Sequence, residues 1–397
     1  MLKSFIIVVL LYPISFIADG QTAKAWYKGN LHTHSYWSDG DEFPEMIMDW
    51  YKSHGYQFVG LSDHNILAAV EKWVKITRSN LYEEAFANYL NKYGATWVKY
   101  KKDSGRVSAQ LKTLEEYRPL FEDRSFLILK SEEITSKLGE MHIHVNATNV
   151  QTVIGRQTGS TVAEIMQKSV DAVLAQRKAT GIPMFPHINH PNFFYSITLQ
   201  DLIDLRGEQF FEVYNGHPLV NNYGDSLHPG TEVMWDKINI AYRNRGQTLM
   251  YGLATDDSHN YHQFGSTYSN AGRGWVMVYA DALTPASLIA ALESGDFYAS
   301  TGVTLESISV KATPASKSLE LKVKQEEGVT YTIEFIGARK ADKEAKVLQS
   351  IKGAQASFSF NNDYLFVRGR VTSSKLKPNP FQDKDVEMAW TQPVFQK

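Results

Sequence analysis

Seven short clusters of imidazole and carboxylate residues punctuate this chain. They are His32-Thr33-His34, Ser38-Asp39-Gly40, Asp63-His64-Asn65, Glu132-Glu133-Ile134, His142-Ile143-His144, His187-Ile188-Asn189-His190-Pro191 and Asp256-Asp257-Ser258-His259. Eight of the twelve histidines fall within them, so histidine here is concentrated rather than scattered over a surface. Imidazole and carboxylate are the donor set for Zn, Mn, Fe and related divalent ions. The clusters are spread over more than two hundred residues, and most sit beside the end of a strand-like apolar run. A fold that uses them together must bring many strand ends to one place, as the C-terminal rim of an α/β barrel does. The chain has no cysteine, which excludes disulfides and thiolate ligands and leaves nitrogen and oxygen donors only.

The hydrophobic pattern agrees with such a fold. Apolar runs predict strands at Trp26–Leu31, Gln57–Leu61, Phe126–Leu129, His142–Ala147, Pro183–Phe185, Phe210–Val213, Leu249–Leu253 and Trp275–Tyr279. Amphipathic helices are expected between them. Thr161–Lys178 places Val162, Ile165, Met166, Val170, Val173 and Leu174 on one stripe before Gly181, while Pro44–His54 and Thr231–Arg245 also end at glycines. Residues 71–125, rich in Lys, Tyr and Glu, interrupt the alternation with helical runs at Leu81–Leu90 and Leu114–Phe121. They form an insertion, lying either over the barrel mouth or against its flank. After residue 304 the period changes to two, as in Leu319-x-Leu321-x-Val323 and Tyr331-x-Ile333-x-Phe335, which predicts a β-sandwich of about seven strands. The 397 residues therefore divide into a barrel over 21–304 and a smaller sandwich over 305–397.

The first twenty residues have their own character. Lys3, the apolar run from Phe5 to Leu11, Pro13 and the small residues ending at Gly20 describe a secretory signal peptide, so export to a periplasm or the medium is expected. The run is too short and too interrupted for a spanning helix, and no stable membrane insertion is expected. A formal charge of −2 gives no electrostatic case for a nucleic-acid or anionic-membrane partner.

His32 and His34, two apart at a strand end, point to the same side and can reach one ion. Together with Ser38-Asp39-Gly40 and Ser62-Asp63-His64, and with the order of all the later clusters, this opening resembles the PHP (polymerase and histidinol phosphatase) family of metallohydrolases over residues 29 to 300. Within the family the chain looks like an extracytoplasmic branch that contains phosphoesterases and carbaryl-hydrolase-like cleavers of carbamate esters. The resemblance implies a distorted seven-stranded (βα)7 barrel holding up to three divalent ions such as Mn, Zn or Fe. It implies nine ligands: His32, His34, Asp39, His64, Glu133, His142, His190, Asp257 and His259. By the same resemblance His32, His34, Glu133 and Asp257 hold one ion, Glu133, His142 and His190 a second, and Asp39, His64 and His259 a third. His144 and His187 stay outside the set, and Asp257 is preferred to Asp256 and Glu133 to Glu132.

Clustered divalent ions lower the pKa of a bridging water toward neutrality and stabilise charge on the oxygens of a hydrolytic transition state. No Gly-x-Ser-x-Gly elbow, reactive cysteine or Walker-type loop competes with that reading. The expected activity is hydrolysis of a small-molecule phosphate ester by a metal-bridging hydroxide. Asp63 is expected to orient the site through hydrogen bonds, and Arg273 to meet phosphate oxygens, with Arg106, Lys112 and Arg118 as weaker cations for that role. His217, after Tyr214-Asn215-Gly216, is the remaining histidine best placed to approach a substrate. Two alternatives stay open. One is a carboxyl or carbamate ester hydrolase on the same metals; the other is a non-catalytic metal- or glycan-binding protein in which the sandwich does the binding.

Overall fold

The computed structural model describes residues 24–382 and 385–396; the expected signal peptide lies outside them. Nine strands of the main sheet precede residue 301: β1 (Ala25–Asn30), β2 (Phe58–Leu61), β3 (Leu127–Leu138), β4 (Met141–Thr148), β5 (Phe185–Ile188), β6 (Phe210–Asn215), β7 (Tyr251–Thr255), β8 (Trp275–Ala280) and β9 (Phe297–Ser300). Seven follow: β10 (Leu305–Ala312), β11 (Lys317–Val323), β12 (Tyr331–Arg339), β13 (Lys346–Lys352), β14 (Gln355–Phe360), β15 (Tyr364–Leu376) and β16 (Val386–Thr391). The result is a mixed α/β protein. One large sheet runs in the order β7-β6-β5-β4-β3-β2-β1-β8-β9-β16-β15-β12-β13, and a three-stranded sheet has the order β10-β11-β14.

β1, β2 and β3 run parallel, as do β5, β6 and β7. β3 and β4 form a long antiparallel hairpin, so β3 extends well past the Leu129 expected as its end. Strands β2, β5 and β6 are buried along their whole length, as strands covered on both faces must be. The helix Val162–Thr180 begins where the Thr161 side chain accepts the Glu164 N–H and ends at Gly181, whose positive φ only glycine adopts freely. Leu31, Phe58, Leu129, Phe185, Phe210, Leu253, Val276 and Phe297, drawn from seven of the strands and the turn after β1, meet in one buried cluster. A flat sheet cannot bring them together, so the sheet is rolled.

The roll is not closed by a backbone ladder. Among the described residues β7 pairs with β6 alone, and its outer edge is covered by a side chain from beyond β16. The Gln392 amide accepts the Gly252 N–H at 2.8 Å and donates to the Gly252 carbonyl at 2.9 Å. This satisfies an edge that would otherwise be buried unpaired.

The alternating C-terminal runs do form seven strands. Leu319, Leu321 and Val323 of β11 pack against Ile333, Phe335, Val367 and Val371 of β12 and β15, sheet on sheet. The sandwich is nevertheless continuous with the first sheet, because β9 pairs with β16 across the expected boundary at residue 304. Arg368 adds a buried polar tie. Its guanidinium donates to both Asp236 oxygens at 2.7 and 2.8 Å and to Glu232 at 2.8 Å, joining β15 to the helix Thr231–Asn244.

The insertion contains the helices Asn80–Tyr93 and Leu114–Phe121 and a small sheet of Trp73–Lys75, Arg106–Gln110 and Tyr100–Asp103. Ile76, Tyr89, Val98 and Leu111 pack on Tyr36, Trp37 and Phe43 beside the first metal motif, and no residue of the insertion lines the pocket described below. Removing one side of a buried charge cluster leaves the other uncompensated. R368A is therefore expected to lower unfolding stability by about 3–5 kcal/mol in urea denaturation.

Candidate metal centre

The loops that carry the clusters are held together by their backbones. After β1 the His34 N–H donates to the Ser258 carbonyl and the Asp257 N–H donates to the His32 carbonyl, tying the first motif to the last. After β2 the Glu133 N–H donates to Asp63 and the Asn65 N–H returns to Glu133, tying the second motif to β3. Asp63 accepts from the Ser35 N–H and from the Ser35 and Ser38 hydroxyls, so it fixes the turn that presents Asp39. Asp257 and His190 both have positive φ, at 49° and 22°. Non-glycine residues hold that conformation where function requires the side chain to be aimed.

The side chains converge in three overlapping groups. In the first, His32 Nε2 lies 3.3 Å from Glu133 and 3.2 Å from Asp257, and His34 Nε2 lies 3.2 Å from the same Asp257 oxygen. In the second, Asp39 reaches His64 Nε2 at 3.3 Å and His259 Nε2 at 3.4 Å. In the third, Glu133 lies 3.0 Å from His144 Nδ1 and 3.4 Å from His190 Nε2. Eight of the nine expected ligands are thus brought together. The ninth, His142, is not: its place beside Glu133 is taken by His144, and His142 packs its ring against Phe193 and Phe194 at the pocket rim. Strand geometry explains the exchange. His142, His144 and Asn146 share one face of β4, opposite Lys137, Thr135 and Glu133 of β3. Each step of two residues moves a side chain roughly 7 Å along the strand, so His142 stands a full step farther from Glu133 than His144 does.

Adjacent acids are separated too, by strand alternation at Glu132 and Glu133 and by the left-handed turn at Asp257 beyond β7. Glu132 faces away and accepts the Ile154 and Gly155 N–H groups, while Asp256 accepts from Arg273 N, Gly274 N and the Tyr51 hydroxyl. Only Glu133 and Asp257 enter the cluster.

The donor set fits divalent cations. His32 Nε2, His34 Nε2, Glu133 Oε2 and His144 Nε2 are buried without a hydrogen-bond partner, which native interiors avoid. Burial opposes ionisation of Glu133 and Asp257, yet the imidazoles around them hold both carboxyls well below the usual range. Burial, with His259 and His64 alongside, lowers His34 to about 3, so its imidazole is neutral. Burial also lowers His144, whereas neighbouring carboxylates raise His32, His64 and His259, and a divalent cation would take the place of those protons between imidazole and carboxylate.

One supporting residue was not anticipated. Glu212 sits in β6, fully buried among apolar neighbours. It accepts from His32 Nδ1 at 2.7 Å, the Thr255 hydroxyl at 2.7 Å, Asn215 Nδ2 at 2.8 Å and the His190 N–H at 2.8 Å. This fixes the His32 tautomer and leaves Nε2 free to bind metal. His187 lies behind it, 3.4 Å from the same carboxylate. The signal in the sequence was a lone Glu inside the apolar run Phe210-Phe211-Glu212-Val213. Asn189 and Asn215 complete the shell by donating to Glu133 and Asp257.

Arg273 is not available to a phosphate. It is 2% exposed, and its guanidinium donates to the carbonyls of Gly216, Tyr268, Gly265 and Asn379. Lys112 pairs with Glu116, Arg118 lies against Glu122, and neither they nor Arg106 line the pocket. The cavity over the cluster has a volume of about 380 Å³, and its cations are Lys137 and Arg156. Both are exposed and have no hydrogen-bond or ion-pair partner among the described residues. His217 also lines it, as expected of a substrate-facing histidine.

No protein-family model and no curated protein matches the chain. Among solved structures it is similar to a two-domain protein from Bacteroides vulgatus containing a predicted PHP-like metal-dependent phosphoesterase. The identity is 14%, the coverage 94% of this chain and 96% of that one, and the TM-score 0.44. A protein from Bifidobacterium adolescentis described as a metal-dependent phosphoesterase aligns at 12% identity over 58% of this chain and 87% of its own, with a TM-score of 0.28. An amidohydrolase from Chromobacterium violaceum, with bound sulfate and no metal, aligns at 13% identity over 59% and 88%, with a TM-score of 0.29.

Two substitutions test the ligand exchange on β4. Metal analysis after reconstitution is expected to show less than the wild-type content in H144A and the full content in H142A. E212Q, which keeps the shape but weakens the hold on His32, is expected to lower metal affinity by about 10–100-fold in chelator competition.

Proposed function

We propose that this protein is an exported, metal-dependent phosphoesterase of the PHP family that hydrolyses a small phosphate ester at a centre of up to three divalent ions in a distorted (βα)7 barrel. The observation that carries the reading is the buried convergence of imidazole and carboxylate groups from His32, His34, Glu133 and Asp257, lying beneath a pocket whose cations, Lys137 and Arg156, are free of partners among the described residues. Divalent ions bound there supply Lewis-acid polarisation of the ester and a water ionised near neutral pH. Export rests on the character of residues 1–20. No described helix is long and apolar enough to cross a membrane.

The chain's own groups divide the remaining work. Lys137 and Arg156 neutralise phosphate oxygens that face the rim, and an arginine fork suits such oxygens geometrically. His217 accepts the Leu219 N–H on Nδ1 at 3.2 Å, which leaves its proton on Nε2. Burial, with His259 and His190 nearby, lowers it to about 4, so at neutral pH it is an uncharged hydrogen-bond donor to the ester. Asp63, Glu212, Asn189 and Asn215 hold the ligands in place. A carboxyl or carbamate ester would use the same metals but would have no use for two rim cations, which favours phosphorus as the electrophile.

The test is a hydrolysis panel with Mn-reconstituted mature protein, comparing a phosphomonoester, a phosphodiester and a carboxyl ester of one chromogenic alcohol. Metal-dependent turnover of a phosphate ester is expected, lost in H32A and D257A while the fold is kept. K137A and R156A are each expected to raise KM for the phosphate ester by about tenfold. Turnover of the carboxyl ester alone, unaffected by K137A and R156A, would overturn the assignment.

A further inference from the structure

We propose that the rim of the metal pocket is a specificity site for a flat apolar group on the alcohol of the ester, with Phe193, Phe194 and Leu219 as its platform. This rests on the phosphoesterase reading above. Three observations carry it. Phe193 and Leu219 line the cavity together with the metal-binding cluster, so an ester seated there has apolar surface within reach. Phe194 is 58% exposed, a large ring held in water beside Phe193, with the two ring centres 4.6 Å apart. His142, released from the metal cluster, packs its ring against both at 5.2 and 5.6 Å. The rim is therefore a continuous patch of π surface from the pocket wall outward.

The backbone under this patch is strained. Phe194 and Tyr195 are consecutive non-glycine residues with φ of 50° and 51°, a region that bulky side chains rarely adopt. The surrounding loop leaves them no easy relaxation. The Phe193 N–H donates to His190 and the Ile197 N–H to Pro191. Phe193 also bridges to Val220, and Asn192 Nδ2 donates to the Asn221 and Pro229 carbonyls at 3.0 and 2.9 Å. The Tyr195 ring stacks on His228 with centroids 3.9 Å apart. Strain of this kind clusters at ligand clamps, which accords with a platform at the lip of the pocket.

The chemistry of the occupant follows from the division of the pocket. Its depth offers imidazole and carboxylate to metals and thus to phosphate, and Lys137 and Arg156 read the remaining negative charge. The same lining includes Phe193 and Leu219, and a ring there receives a flat group face-on or edge-on. The occupant is a phosphate ester whose alcohol carries an aromatic or similarly flat apolar group, rather than a small polyol.

The test compares 2-phenylethyl phosphate with ethyl phosphate, which have closely matched leaving groups, and in parallel measures binding of the two matching phosphonates by calorimetry. The metal-loaded wild type is expected to prefer the phenylethyl compound by about tenfold or more in kcat/KM, through KM, and to bind its phosphonate more tightly to a similar degree. F194A is expected to bring both ratios close to one. Hydrolysis of both esters with equal kcat/KM and equal phosphonate affinities overturns the platform and leaves the phosphoesterase reading standing. Absence of hydrolysis with a phenylethyl preference in binding that F194A removes supports the platform and overturns the phosphoesterase reading. A ratio unchanged by F194A overturns the platform. So does a wild-type dimer in sedimentation that F194A dissociates, because the rings then belong to an interface between copies.

Discussion

A carboxylate buried in the middle of a rolled sheet must be compensated, and the architecture around Glu133 is organised by that need. Burial resists its ionisation, while His144, His64 and His32 favour it, and Asn189 adds a hydrogen bond at 2.6 Å. Asp257 stands in the same relation to His32, His34, His259 and His190. The two carboxylates gather imidazoles from the ends or interiors of five strands, so the roll of the sheet and the formation of the centre are one event. The left-handed backbone at His190 and Asp257 is the local cost of aiming those side chains inward.

Charge compensation does not stop at the ligands. Glu212 anchors His32 from behind, receives the His190 N–H and holds Asn215, which in turn donates to Asp257. One buried carboxylate thus sets the positions of three ligands from three strand ends. Moving any one of them disturbs the others, because interiors packed at this density transmit small shifts.

The C-terminal strands take part in this arrangement. Arg273 joins the turn carrying Gly216 and His217 to the segment after His259 and to Asn379 in the loop between β15 and β16. Lys377, in the same loop, reaches the Tyr214 hydroxyl and Asp385 at 3.3 Å. Gln392 covers the open edge of β7, the strand that leads into Asp257. The segments around β15 and β16 therefore brace the loops that bear the centre, which gives the C-terminal strands a mechanical role. The rim shows the complementary logic. Imidazole and carboxylate atoms that hydrogen bonding leaves unsatisfied lie at depth, and apolar rings face solvent at the lip.

The strand and helix periods and the alternating C-terminal runs are legible in the residue pattern because they depend on local spacing, whereas the candidate ligands follow from the family resemblance, and eight of those nine side chains meet in one cluster. The same resemblance prefers Glu133 to Glu132 and Asp257 to Asp256. What it did not contain was register. Only the pairing of β4 against β3 decides that His144, not His142, stands next to Glu133, since two histidines two apart share a face and differ only in depth. Nor does a lone arginine near a motif reveal that four backbone carbonyls will enclose it, as they do Arg273, or that Lys137 and Arg156 will be the cations left at the rim. Local chemistry follows from which residues are present. Which of them meet, at what depth and with what already bound, is set by long-range strand pairing, and that belongs to the tertiary structure.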